Sequence, residues 1–318
     1  MDSTCGGCDP REDPSGGLEN PFLWSERMMV KMSQEQRCIF SVDVEDWFHI
    51  LALPQAPDMA AWAQLPSRVE GNFRKLLELF GELDVQVTCF FLGWVAERFP
   101  SLVREAAAAG HEIASHGYAH ILTYEMTPEA FYEDVRKSKA LIEEITGRPV
   151  LGYRSPGFSA TSDTPWFFDK LALAGYRYDS SVFPAARGHG GMAGGNLAPH
   201  QVNTDTGSLV EFPITVTKVL GSPMCFFGGG YLRLFPYSLI ERMGRRVQND
   251  GRPVVFYIHP REIDPGHPRL PMSLARRFKS YVNLGTTEHK VRSILRDFRV
   301  TTFEQFMSNN PISGSIPT

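Results

Sequence analysis

Apolar residues in this chain follow two alternating rhythms. Short, nearly unbroken apolar runs suit buried strands, and they are separated by longer stretches with apolar positions three or four apart, which suit amphipathic helices. The first run, Cys38-Ile39-Phe40-Ser41-Val42, leads into Asp43-Val44-Glu45-Asp46-Trp47. Residues 68–83 then place Val69, Phe73, Leu76, Leu77 and Phe80 on one helical face. A strand is predicted over Val85–Phe91, a short helix over Ser101–Ala109 ended by Gly110, and a further strand before the histidines at 116 and 120. Thr127-Pro128-Glu129-Ala130 predicts a helix start with Thr127 as N-cap; that helix runs to Thr146 and stops at Gly147.

Downstream the alternation continues. Val150–Tyr153 is a short strand ending at Arg154, and Thr164-Pro165 opens a helix reaching Ala174-Gly175. Residues 185–208, rich in Gly, Asn and Pro, are expected to form a long loop, and Leu209–Val219 is strand-like despite Pro213. Pro236–Asn249 is helical, and Pro253–Ile258 is the clearest buried strand, ending in His259-Pro260. Two helical patterns occupy residues 272–297, and Thr301–Met307 forms a last helix. Strands alternating with helices predict βα units and a parallel sheet, as a barrel or a doubly wound sheet. No linker interrupts the chain after residue 37, so one domain is expected over 38–310, with tails at 1–37 and 311–318.

Composition narrows the class of protein. The 318 residues are 42% hydrophobic, enough for a sizeable core, and a net charge of −4 argues against nucleic acid or an anionic membrane surface as partner. No apolar run is long enough to cross a membrane. The N-terminus lacks a basic segment followed by an apolar one, which predicts a cytoplasmic protein acting on a cytoplasmic or membrane-leaflet precursor. The five cysteines are scattered and suggest a reducing compartment. Cys38 and Cys89 lie in apolar runs and read as buried hydrophobes, while Cys5-Gly6-Gly7-Cys8, a lone C-x-x-C in a breaker-rich tail, reads as non-functional.

The candidate chemistry lies at the strand ends. Four apolar strands finish on Asp43, His116, Arg154 and His259. In a parallel β/α barrel such ends share one mouth, where catalytic groups gather. His116 and His120 are four apart, a spacing that on a helical turn puts both imidazoles on one face. With one carboxylate they make a three-ligand set that leaves a coordination position for water. Each residue also has an ordinary role open to it: Asp43, Glu45 and Asp46 as helix caps, the histidines as a surface pair, Arg154 as an ion-pair partner, His259 as a core histidine.

These residues resemble the polysaccharide deacetylases, the NodB-homology group or carbohydrate esterase family 4, over about residues 38–260. Ser41-Val42-Asp43-Val44-Glu45-Asp46-Trp47-Phe48, Phe227-Gly228-Gly229-Gly230-Tyr231 and His259-Pro260-Arg261-Glu262-Ile263-Asp264-Pro265 look most like the branch found with bacterial exopolysaccharide and PEP-CTERM systems. The likeness continues in a C-terminal extension, Arg276-Arg277-Phe278 through Phe303. The resemblance implies a distorted (β/α) barrel with a C-terminal helical extension from about residue 261. It implies a divalent metal, zinc by preference, on His116 and His120; Asp43 as base; Arg154, in Arg154-Ser155-Pro156, orienting that base; and His259 as general acid. It further implies an N-acetylated carbohydrate substrate, a backbone N–H after Pro156 at the oxyanion, and association with exopolysaccharide synthesis machinery. The loosest match is at Asp179.

Two positions depart from the family pattern. Val44 stands where most members have a metal-binding aspartate, so the carboxylate ligand becomes Asp46 or Glu45. Glu45 lies on Asp43's side of an extended strand, whereas Asp46 reaches the site only if the chain turns after Val44; Asp46 is preferred. Phe158 replaces the tyrosine common after the arginine motif. Because the first motif varies, a hydrolase of cyclic imides or other small amides on the same scaffold is an alternative, and a non-catalytic carbohydrate-binding relative is another. Of Trp47, Phe48, Trp94, Tyr118, Phe226, Phe227 and Tyr231, about half are expected to be buried and the rest to offer sugar-stacking faces.

Overall fold

In this computed structural model residues 38–51, 53–185 and 190–312 are described; the N-terminal tail with its C-x-x-C pair, and the last residues, lie outside them. The strands are β1 (Cys38–Val44), β2 (Thr88–Phe91), β3 (Glu112–Ser115), β4 (Gly152–Tyr153), β5 (Tyr178–Asp179), β6 (His200–Thr204), β7 (Gly207–Glu211), β8 (Thr217–Val219), β9 (Ser222–Met224), β10 (Val254–Ile258) and β11 (Val300–Thr301). The main sheet runs β10-β1-β2-β3-β4-β5-β7-β6, with β11 also pairing β1. Every pairing in it is parallel except β6–β7. The sheet curls as a half-barrel, which agrees with the expected distorted barrel. Opposite the mouth, Val255 N–H donates to Thr215 Oγ1 at 2.8 Å, so β10 meets the stretch after β7 through a side chain.

Alternation along the strands sorts two cores. Phe40, Val42, Val44, Cys89, Phe91, Phe256 and Ile258 face outward into the layer that packs the helices. Ile39, Phe90, Ala114, Tyr178, Phe212 and Val255 face inward, where Phe303 and Phe306 of helix Phe303–Asn309 join them. That last helix therefore plugs the half-barrel at the end away from the mouth. The helices Val69–Glu82, Pro128–Thr146, Tyr237–Asn249 and Leu284–Asp297 form where periodicity placed them. Thr127 Oγ1 accepts from Ala130 N–H, and Gly147 closes its helix with a left-handed φ of 65°.

The expected loop over 185–208 is corrected in part: its end folds as β6 and the turn into β7. Only Val202 of β6 is buried, so an edge strand this polar carries no apolar signal. The strand-like stretch 209–219 divides into β7, a connection and β8, which pairs with β9. Among the described residues no helix is long and apolar enough to cross a membrane, and Cys38, Cys89 and Cys225 are buried.

Candidate active site

Strand register brings the polar residues together. Val44, Phe91, Ser115 and Tyr153 lie in one row across β1 to β4, so the residues that follow them leave at the same edge. Val42 pairs with Ile258, which sets Asp43 beside His259. Ser41, Asp43 and Glu45 continue the inward parity of Ile39, forming a polar column above the apolar plug.

At the centre is Arg154, fully buried. Its Nη1 donates to Asp43 Oδ1 at 2.7 Å and to Ser41 Oγ at 2.8 Å, while Nε and Nη2 hold the Ser180 carbonyl and hydroxyl. The guanidinium stacks over Phe90, its carbon 4.2 Å from the ring centre. The cation is thus paired and almost fully hydrogen-bonded, the condition under which a charge is tolerated in a protein interior. Behind it, Ser181 Oγ donates to Asp179 and accepts from Ser155 N–H. Burial raises the carboxyls of Asp179 and Glu211, and this neighbouring pair holds on to a proton.

The histidines are placed by a loop, which corrects the helical-turn geometry. Gly117 (φ 73°) and His120 (φ 55°) both take left-handed backbone after β3. A Cβ on Gly117 would sit 2.9 Å from Asp134 Oδ2, because that carboxylate folds over the loop to accept Tyr118 and Ala119 N–H at 2.8 and 3.0 Å. The His116 and His120 ring centres end 5.4 Å apart. His116 Nδ1 donates to the Arg154 carbonyl at 2.8 Å, which leaves its Nε2 lone pair for a ligand.

Glu45, not Asp46, joins them. One donor atom each from Glu45, His116 and His120 lie within 4.8 Å of one another, all buried. Asp46 turns away because the chain bends after Glu45 toward helix Val69–Glu82. Its carboxylate accepts Trp47 N–H at 2.8 Å, Arg68 N–H at 3.0 Å, Val69 N–H at 3.3 Å and the Ser67 hydroxyl at 2.5 Å. An anion over amides at a helix start is a stable use for it. Glu45 Oε2 lies 2.5 Å from His120 Nε2, and Oε1 lies 3.4 Å from His259 Nε2. Burial opposes its charge, but the imidazoles of His120 and His259 outweigh burial and hold the carboxyl below the usual range.

His259 Nε2 is 3.8 Å from Asp43 Oδ2, and Nδ1 is 3.4 Å from Glu262 Oε2. Burial pushes this imidazole down to about 4, so the ring is neutral at pH 7. Glu262 is itself paired with Arg233. Sequence reasoning missed His49. Its Nδ1 accepts Asp46 N–H at 3.0 Å, its ring lies 5.5 Å from that of His120, and its Nε2 is sealed without a partner. Burial keeps this ring neutral too, so Nε2 carries the proton. Gly157 and Phe158 line the cavity at the place expected for an oxyanion contact, and the Phe158 N–H is taken by the Ser155 carbonyl. Trp47, Phe48, Phe226 and Phe227 are buried and Tyr231 is exposed, matching the expected division. Asp43, Glu45, His49, His116, His120 and His259 open on one cavity of about 790 Å³, a size that suits a sugar or short oligosaccharide.

Comparison with known proteins agrees with this geometry. Residues 62–178 match the family model described as polysaccharide deacetylase. Over that stretch the chain is similar to polysaccharide deacetylases. Residues 180–308 match a second model, described as a domain of unknown function, DUF3473. A peptidoglycan deacetylase of Helicobacter pylori is 27% identical over 154 residues, 48% of this chain and 51% of the relative. A peptidoglycan deacetylase-like protein of Gibberella zeae is 31% identical over 112 residues, 35% of this chain and 32% of the relative. The chain thus spans about half or less of these relatives' lengths. In fold, it is similar to a Mycobacterium smegmatis protein provisionally described as a polysaccharide deacetylase, with a TM-score of 0.58, 21% identity and coverage of 89% of this chain and 96% of that one. The PuuE allantoinase structure gives the same TM-score of 0.58 at 18% identity, covering 95% and 97%. The polar group at the mouth extends past the stretch matched by the deacetylase model: Asp43 and Glu45 precede it, and His259 lies in the second matched stretch.

Proposed function

We propose that this protein is a metal-dependent N-deacetylase that removes acetyl groups from amino sugars of a polysaccharide or its precursor. The observation that carries the reading is the meeting of Asp43, Arg154 and His259 with the Glu45–His116–His120 group at one cavity. The donor set fits a divalent ion: two imidazoles and a carboxylate suit zinc, and one donor atom from each lies buried within 4.8 Å of the others. Glu45, His116 and His120 are therefore the ligands we assign, and an ion held there supplies Lewis acidity toward an acetyl carbonyl and water.

The remaining chemistry belongs to the chain. Asp43, aimed by Arg154 through Oδ1, offers Oδ2 to take a proton from the attacking water. The departing amine needs a proton in return. His259 Nε2, near Asp43 Oδ2, collects that proton as a neutral ring and delivers it as an acid. The backbone after Pro156 faces the developing oxyanion. Burial of the whole group excludes water and strengthens each of these contacts.

The likeness of the first motif and the C-terminal extension to the exopolysaccharide-associated branch supports a role in exopolysaccharide synthesis, with the synthesis machinery as partner. Acetate release from N-acetylglucosamine oligomers, run beside ring opening of small cyclic imides, tests the activity. Wild-type protein is expected to release acetate, and His116→Ala to lose both turnover and bound metal while keeping its fold. Near-wild-type acetate release by His116→Ala would overturn the metal assignment.

A further inference from the structure

The cavity has a second chemical character, away from the Asp43–Glu45 column. One wall comes from the segment after β10: the turn Pro260–Ile263 and helix Leu274–Tyr281. It brings Arg261, Arg276 and Lys279 to the lining. Arg261 Nε and Nη1 are shielded from solvent and have no hydrogen-bond partner. Arg276 donates Nη2 to the Leu51 carbonyl at 2.7 Å, and its Nε is likewise shielded and unpartnered. Lys279 is exposed at the rim.

The carboxylates that line the same cavity are already engaged. Asp43 is held by Arg154, Glu45 by the imidazoles, and Glu262 by Arg233. Arg261 feels the charge of Glu45 but hydrogen-bonds no carboxylate through Nε or Nη1, so this wall carries guanidinium N–H groups without acceptors. Shielded guanidinium N–H groups with no acceptor are costly, and their preferred acceptor is a carboxylate or phosphate oxygen, which a guanidinium can grip at two points.

We propose that this wall is an oxyanion-binding subsite: the amino sugar to be deacetylated is joined to a unit carrying a carboxylate or a phosphate, and Arg261, Arg276 and Lys279 bind that group. The proposal rests on the deacetylase reading and narrows its substrate class. It also gives the DUF3473 stretch a task, since all three cations lie within it.

The test uses the full chain loaded with zinc and three probes. These are a neutral N-acetylglucosamine tetramer, a tetramer alternating N-acetylglucosamine with glucuronic acid, and N-acetylglucosamine linked through a pyrophosphate. The readout is the ratio of kcat/KM on each anionic probe to that on the neutral one, for wild type, Arg276→Gln and Lys279→Gln, together with equilibrium binding of each probe. Wild type is expected to favour one anionic probe by about tenfold or more, the worth of one charge-assisted contact. That probe identifies the anion as carboxylate or phosphate. Either substitution should pull the ratio toward one, and added salt should do the same. Acetate release with no anionic preference, or with a ratio that the substitutions leave unmoved, overturns the subsite and leaves the deacetylase reading standing. No acetate from any probe, with anionic binding that Arg276→Gln weakens about tenfold, overturns the deacetylase reading and upholds the subsite.

Discussion

Glu45 and Asp46 are neighbours with the same charge and opposite assignments. Glu45 faces the two imidazoles, while Asp46 accepts the Ser67 hydroxyl and the Arg68 and Val69 amides. Their substitutions should separate cleanly. Glu45→Gln is expected to strip metal, read by elemental analysis, with little change in thermal unfolding of the metal-free protein. Asp46→Ala should keep the metal but lose about 1–3 kcal/mol of stability, because buried amides lose their acceptor. The distinction was half legible in the sequence. Strand alternation pointed to Glu45, and the path of the chain after Val44 brings Glu45, not Asp46, to the two imidazoles. Asp43, His116, Arg154 and His259 were legible because each ends an apolar strand. His49 and Arg261 were not, since their positions depend on how loops return to the mouth and no period marks them.

Another residue-scale consequence concerns acid stability. His111 is buried away from the site, accepts Val87 N–H on Nδ1, and burial pushes its imidazole down to about 4. Between pH 6.5 and about 4 the unfolded chain binds a proton here that the folded chain refuses. Its contribution to stability is therefore complete above pH 6.5 and lost as the pH falls toward 4. Replacing it by glutamine, which can still accept the amide, should flatten part of this acid limb in urea unfolding curves. Parallel curves for the two proteins across the window would refute the assignment.

At the scale of elements, helix Phe303–Asn309 carries more than its length suggests. Phe303 is fully buried, with ring centres 5.6 Å from Phe90, 5.1 Å from Tyr178 and 5.0 Å from Phe212. It also lies 5.7 Å from the Arg154 guanidinium. Phe303→Ala should cost about 3–5 kcal/mol and lower kcat by loosening the floor under Arg154, both measurable on one preparation. The sequence marked this helix by its periodicity but not its role as a plug, because pairing between distant elements leaves no local trace. Strand β6 was invisible for a different reason. It sits at the sheet's edge and exposes all but Val202 to partial or full solvent. Helix Pro128–Thr146, with its threonine cap, proline start and glycine stop, was legible throughout because all of its signals are local.

For the molecule as a whole, the Glu45–His116–His120 group, the ligand set we propose, joins β1 to the loop after β3. Binding there should stabilise the fold by mass action, about 2.7 kcal/mol at a hundredfold excess over Kd, which for a domain this size raises Tm on the order of 5–10 °C. Chelation should remove that gain, zinc should restore it, and His116→Ala should show neither change. The two family matches meet at β5, inside the sheet and not between domains. The second stretch supplies β10, His259 and the plug helix, so neither stretch encloses the cavity by itself.

The pairing of β1 with β10 has a kinetic consequence. Ser41 donates to the Phe256 carbonyl across 215 positions of chain, and β1 lies between β10 and β2, second from one end of the order. Zipping β1 to β2 and β3 needs only modest loops, whereas docking β10 must close a stretch of 215 positions, with the entropy loss that long closures carry. Refolding should therefore pass first through an open half-sheet that already holds Glu45, His116 and His120. Zinc capture should precede recovery of catalysis in a stopped-flow experiment, with the interval between them timing the arrival of His259.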